Sequence, residues 1–266
     1  MRKSFGVIRS DLRLRRTSLV MWTVAVAALV AGIAAIYPTV RANPSLDRVY
    51  GGMSPTLQAL LGGSSLTSPA GYLRTQLFAF FLPAVLLVFA IGRGAGSVAG
   101  EEEDRTLDLL LSQPVARTRL YIEKAFAVVI GVSALTFACT VAVVALRDPS
   151  DLTLPYGNLI ATCVQMGLLC TALGLGAQAI AAATGHRAVG IAASAGYTFV
   201  SYVVYGLSAT VHPLYYARPL TLWRWYLAGD PLTSGFDGIG LGVLGAVSFV
   251  LMAAGGAAFR RRDLHA

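Results

Sequence analysis

Apolar residues fall in six long runs, and the polar residues gather between them. The runs cover residues 18–36, 77–99, 125–146, 159–183, 188–211 and 239–259. Each is near or above the roughly 20 residues that a helix needs to cross a bilayer core. None carries an Asp or Glu at its centre. A chain in hydrocarbon must satisfy its own backbone polar groups, and a helix does so within one segment. The pattern therefore predicts an all-α polytopic membrane protein with six transmembrane helices in a single transmembrane domain over 1–266. Tyr37-Pro38 is expected to end the first span, and Pro83 to kink the second, which has Arg93 near its inner end.

The polar segments differ in character. Residues 100–124, GEEEDRTLDLLLSQPVARTRLYIEK, open with Glu101, Glu102, Glu103 and Asp104, followed by Arg105 and Thr106. Leu107, Leu110 and Leu111 then recur at helical spacing until Pro114 stops the run. A short, stiff, amphipathic helix in a membrane protein's best-organised loop points to docking of another protein. In the N-terminal tail, Phe5, Ile8, Leu12 and Leu19 share one helical face, and Arg9, Arg13 and Arg16 share another. That division predicts an interfacial helix lying on the membrane before span one. Residues 37–76, rich in Pro and Gly, are expected to hold one short helix near 56–61. Residues 212–238 contain Trp223, Trp225 and Tyr226, residue types that suit the headgroup level. They read either as a segment dipping into the outer interface or as an aromatic belt.

Charge orients this arrangement. The tail, the 100–124 loop with Arg93, the link between spans four and five, and the C-terminal end together hold fifteen Lys and Arg; the other side holds six. The richer side is expected in the cytosol, with both termini. The net charge of +8 is thereby explained as a topological signal, without nucleic acid as a partner. Only 13% of residues are charged and mean hydropathy is +0.66, against about 25% charged in a soluble domain. Span one is longer than a signal-peptide core and is followed by no clean A-x-A site, so it is expected to be retained as an anchor. Cys139, Cys163 and Cys170 lie inside apolar runs without metal-type spacing.

Catalytic signatures are missing from the sequence. No Gly precedes Lys3 or Lys124, so there is no P-loop. There is no H-E-x-x-H and no G-x-S-x-G. The chain is expected to be no enzyme, with no cofactor or metal of its own. Mechanical features are present instead. Gly92, Gly96 and Gly100 recur every fourth residue at the inner end of span two, a spacing that lets helices approach closely. Ser194, Tyr197, Ser201, Tyr205 and Ser208 form a polar and aromatic stripe on span five, which suits either a partner helix or a water-accessible path.

Residues 100–120 resemble the permease subunits of the second class of ATP-binding-cassette (ABC) exporters, in the short six-span bacterial branch that includes antibiotic and multidrug permeases. The shared pattern is an acidic run, a T-L pair, a leucine run, a proline and R-x-R before span three. Leu66-Thr67-Ser68-Pro69 with Gly71-Tyr72-Leu73, Trp225-Tyr226-Leu227 with Asp230-Pro231-Leu232, and 259–264 (FRRRDL) extend the match over most of the chain. Asp104 departs from the pattern, which more often carries Glu there.

The resemblance implies a half-transporter in the bacterial plasma membrane. Two permeases, identical or paralogous, would pair within the lipid. Each would seat a cytosolic ABC ATPase that carries ATP and Mg. The 100–124 loop would be the coupling helix, with Glu101 to Thr106, Leu107, Leu110, Leu111 and Pro114 as its contact set. The N-terminal helix would brace it, and spans two and five would line the route. Phe78, Phe81, Tyr197, Ser201 and Tyr205 are the candidates for translocation path or dimer interface. A non-transporting scaffold or immunity protein that only binds a cytosolic partner is the alternative reading. An ATPase stimulated by this chain separates the two.

Overall fold

The computed structural model describes residues 16–60, 65–103 and 117–261. Among the described residues six apolar helices are long enough to cross a membrane: Thr17–Arg41, Pro69–Ala95, Thr118–Arg147, Tyr156–Thr184, Arg187–Leu207 and Gly238–Arg261. Among the described residues there is no strand.

Span four is the hub and packs against spans two, three, five and six, while span one leans on span three. The apolar window of span four is 83% buried, against 17% in spans one and five, so those two keep most of their surface for lipid or a partner. Composition explains the hub. Lipid tails are as apolar as leucine, so helices associate by close packing, and small residues permit it. Span four supplies Gly167, Gly174, Ala177 and Ala181, all buried. At Gly174 its backbone meets span two at Gly94, and a Cβ added to either glycine would collide with main chain of the other helix. The tight crossing is thus Gly94 on Gly174. The expected Gly92–Gly96–Gly100 seam does not form: a Cβ on Gly92 meets nothing within 4 Å, and the helix ends at Ala95 before the repeat is complete.

Two boundaries differ from expectation. Span one continues through Pro38 to Arg41. Tyr37 is fully buried there, donates its hydroxyl to the Thr67 carbonyl at 3.1 Å and packs on Tyr72 at 4.9 Å. This anchoring holds the last turn in place, although Pro38 lacks an N–H to continue the ladder. Span two starts at Pro69, eight residues before the expected Leu77. Ser68 caps it by accepting from the Gly71 N–H at 3.2 Å. A π-turn follows at Arg74–Phe78, and the α-helix resumes at Phe81–Ala95. The interruption falls at Phe80, three residues ahead of Pro83, because the proline ring crowds the preceding turn and cannot donate to it. Tyr226, fully buried, donates its hydroxyl to the Phe78 carbonyl at 2.9 Å and supplies a partner at the break.

Among its described residues the segment between spans one and two holds two short helices, Ser45–Gly51 and Pro55–Leu60, where the sequence predicts one. The Asp47 carboxylate ties them to the start of span two. It accepts from the Leu66 and Thr67 N–H groups at 2.7 and 3.2 Å, from the Ser65 hydroxyl at 2.9 Å, and from the Thr67 hydroxyl. Residues 212–238 form the short helices His212–Ala217, Leu222–Leu227 and Pro231–Ser234. They fold back onto spans four, five and six. Trp223 and Tyr226 are buried in the bundle, whereas Trp225 between them is only half-buried. The aromatics expected at the interface thus divide, and the helical twist of Leu222–Leu227 turns two of them into the core.

Candidate functional site

Below span two the chain makes a short helix, Ala99–Glu103. The Glu103 carboxylate accepts from the Arg187 backbone N–H at 2.9 Å. Arg187 is the first residue of span five, whose opening N–H groups lack partners within the helix. An acid at a helix start meets both an orphan donor and the positive end of the dipole. Span five is thus capped by the loop that follows span two. Gly96 and Gly100 lie against the Arg187 side chain: Cβ atoms on them would meet Nε at 3.5 Å and Cδ at 3.9 Å, in ordinary van der Waals contact.

Glu101 and Glu102 belong to the same short helix. Asp104, Arg105, Thr106, Leu107, Leu110, Leu111 and Pro114 lie outside the described residues, as does the expected interfacial helix over Phe5, Ile8 and Leu12.

Higher on span two, an apolar groove of about 390 Å³ separates it from span five. Phe80, Val88 and Ile91 form one wall, Ile191, Phe199 and Tyr202 the other, and Trp223 lines it as well. Phe80 and Tyr202 face each other at 5.5 Å, and Trp223 meets Tyr202 edge-on at 5.0 Å. Where a groove carries so few polar groups, shape and apolar contact select what enters, not hydrogen bonding.

None of the five candidate path residues lines this groove. Phe78 is fully buried in the core. Phe81 is half exposed and packs edge-on against Phe80 at 5.6 Å. Tyr197 is exposed and donates its hydroxyl to the Leu220 carbonyl at 2.8 Å. Ser201 is buried, and the Arg218 guanidinium sits 5.2 Å from the Tyr205 ring centre. The span-five stripe divides accordingly. Ser194, Ser201 and Ser208, spaced by seven, are buried, and the tyrosines flank them. The groove residues instead follow apolar spacings, 80, 84, 87 and 91 on span two and 191, 195, 198 and 202 on span five. Those spacings are visible in the sequence, but an apolar helical face reads equally well as core.

No His, Cys, Asp or Glu cluster among the described residues is arranged to hold a metal ion. The three cysteines are free and buried. What the arrangement offers is mechanical: a capped link from an acidic loop to a helix that borders an apolar groove.

The chain matches the family model for ABC-2 family transporter proteins over residues 6–264. It belongs to the ABC-2 transporter family. Comparison with curated proteins finds no match. Family membership and six apolar helices make this a membrane-embedded ABC-2 type permease. Its sequence contains no P-loop, so it does not itself carry a Walker-type nucleotide site.

Proposed function

We propose that this ABC-2 protein is the permease half of a bacterial exporter of the six-span antibiotic and multidrug branch. Its single transmembrane domain pairs with a second permease, and each permease seats one cytosolic ATPase that binds ATP and Mg. Both termini and the 100–124 loop face the cytosol, as the Lys and Arg distribution favours. The loop is the coupling element: Leu107, Leu110 and Leu111 enter an apolar groove on the ATPase, and Glu101 to Arg105 line its rim. Spans two and five border the route.

The observation that carries this reading is the hydrogen bond that the Arg187 backbone N–H donates to the Glu103 carboxylate. A push on the loop reaches the first turn of span five directly, and span five forms one wall of the groove. The apolar window of span five is only 17% buried, as in span one, and this uncovered surface leaves room for a partner permease along it.

The test is Leu110→Asp in the full chain co-expressed with its ATPase. Burying an unpaired charge in an apolar groove costs several kcal/mol, so the ATPase should dissociate and transport should stop while six spans remain inserted. Glu102→Gln, at a solvated rim, should change little, about 0–1 kcal/mol. Wild-type ATPase binding and transport in Leu110→Asp would refute the coupling role.

A further inference from the structure

Two cavities meet on span two. Beside the apolar groove lies a second one, of about 200 Å³, between the inner ends of spans one, two and five, and both use Val88 and Gly92 as wall. The second is polar where the first is not. Arg93, Arg187, Ser18 and Trp22 line it. Glu103 meets Arg187 at the backbone N–H.

We propose that the two cavities together hold one anionic phospholipid, with its phosphate between Arg93 and Arg187 and one acyl chain in the groove. The level of the polar cavity fits a headgroup. Ser18 is the second residue of span one, Arg187 the first of span five, and Arg93 lies two residues from the end of span two at Ala95. Two guanidiniums are matched to phosphate oxygens by geometry and charge. Trp22 supplies the amphipathic ring that favours this depth. The length of the groove fits a chain. From Gly92 to Phe80 span two rises about 18 Å, close to one leaflet's share of a hydrocarbon core of about 30 Å. Gly92 forms the saddle between the cavities, with open space where a side chain would stand. Val88 beside it is exposed, so a lipid reaches the saddle from the bilayer. Placing the lipid in the inner leaflet rests on the proposed orientation; binding itself needs no ATPase.

The experiment is native mass spectrometry of the full chain in detergent, titrated with phosphatidylglycerol or with phosphatidylcholine of the same chains. Phosphatidylglycerol should be retained about tenfold better, on the scale of two arginines near an anionic headgroup. Arg93→Gln with Arg187→Gln should abolish the preference, and the corresponding Lys pair should keep most of it. Gly92→Leu should lower retention of both lipids, because it fills the saddle without removing charge. Size-exclusion profiles check that each variant is folded; if the Gln pair is not, the Lys pair and Gly92→Leu still decide. Equal retention of the two lipids by the wild type, or a preference that survives the Gln pair, overturns the site. Displacement of the lipid by millimolar inorganic phosphate would make it a free-anion site and overturn the lipid assignment. Loss of lipid only in dimeric species would assign the groove to a second copy, with the same consequence. None of these outcomes bears on coupling, which Leu110→Asp tests separately.

Discussion

Gly94→Ala probes the closest helix crossing in the bundle. A methyl group at Gly94 would lie 2.8 Å from the Gly174 carbonyl carbon and 3.3 Å from the Gln178 nitrogen, and closer still to the Gly174 oxygen. Comfortable carbon contacts are about 3.5–4 Å, so spans two and four must separate by about 1 Å. Both obstacles are main chain, and no flexible side chain can swing aside. Span four is also the hub, so the displacement spreads to its other neighbours. Overpacking of this kind costs about 1–3 kcal/mol, and rigid backbone on both sides places Gly94→Ala toward the upper end. For a chain of this size each kcal/mol moves the midpoint by about 2–4 °C, so thermal unfolding in detergent should begin about 5–10 °C earlier. Gly32→Ala and Gly245→Ala are the controls, since a Cβ at either position meets nothing within 4 Å. Gain of helix propensity should leave them neutral or slightly stabilised. If Gly94→Ala unfolds within 1–2 °C of those controls, a shift of under about 1 kcal/mol, the crossing is looser than described and the hub argument fails.

Tyr226→Phe removes the hydroxyl that serves the Phe78 carbonyl and should cost about 1–2 kcal/mol, read as a lower unfolding midpoint with the bundle retained. Glu103→Ala strips the cap from span five, a loss of about 1 kcal/mol; hydrogen exchange in residues 187–190 should speed up several-fold, and unchanged protection would sever the proposed link between loop and groove. The Thr67 hydroxyl, then the Ser65 hydroxyl and the Leu66 and Thr67 N–H groups, hold the Asp47 carboxyl below the usual carboxylate range. A carboxyl whose value falls on folding stabilises the fold above its unfolded value, near pH 4, and loses that contribution as pH drops through the lower folded value. Protection of the Leu66 and Thr67 amides, corrected for intrinsic exchange, should therefore fall between pH 5 and pH 3 in the wild type, while Asp47→Asn should show weak protection at both.

The six spans were legible in the sequence because bilayer thickness sets the length of an apolar run, and run length is a local property. Residues 125–146, 159–183 and 239–259 lie within helices Thr118–Arg147, Tyr156–Thr184 and Gly238–Arg261 for this reason. Boundaries moved where packing overrode local preference: Tyr37 carries span one past Pro38, and Ser68 starts span two well before its apolar run. Which faces meet was not legible. In water, a helix announces its inner face by contrast with a polar outer one. In lipid both faces are apolar, and what distinguishes them is steric fit. So the Gly94–Gly174 crossing leaves no mark in the sequence, while the regular spacing of Gly92, Gly96 and Gly100 is conspicuous there. In the same way the polar stripe of span five stands out in the sequence, although the groove lies on the neighbouring face with Ile191 and Tyr202. Trp223 and Tyr226 had the composition of an interface and the position of a core. The Glu103 cap on Arg187 joins residues 84 apart, and only the fold brings the acid to the donors that the first turn of span five leaves unpaired.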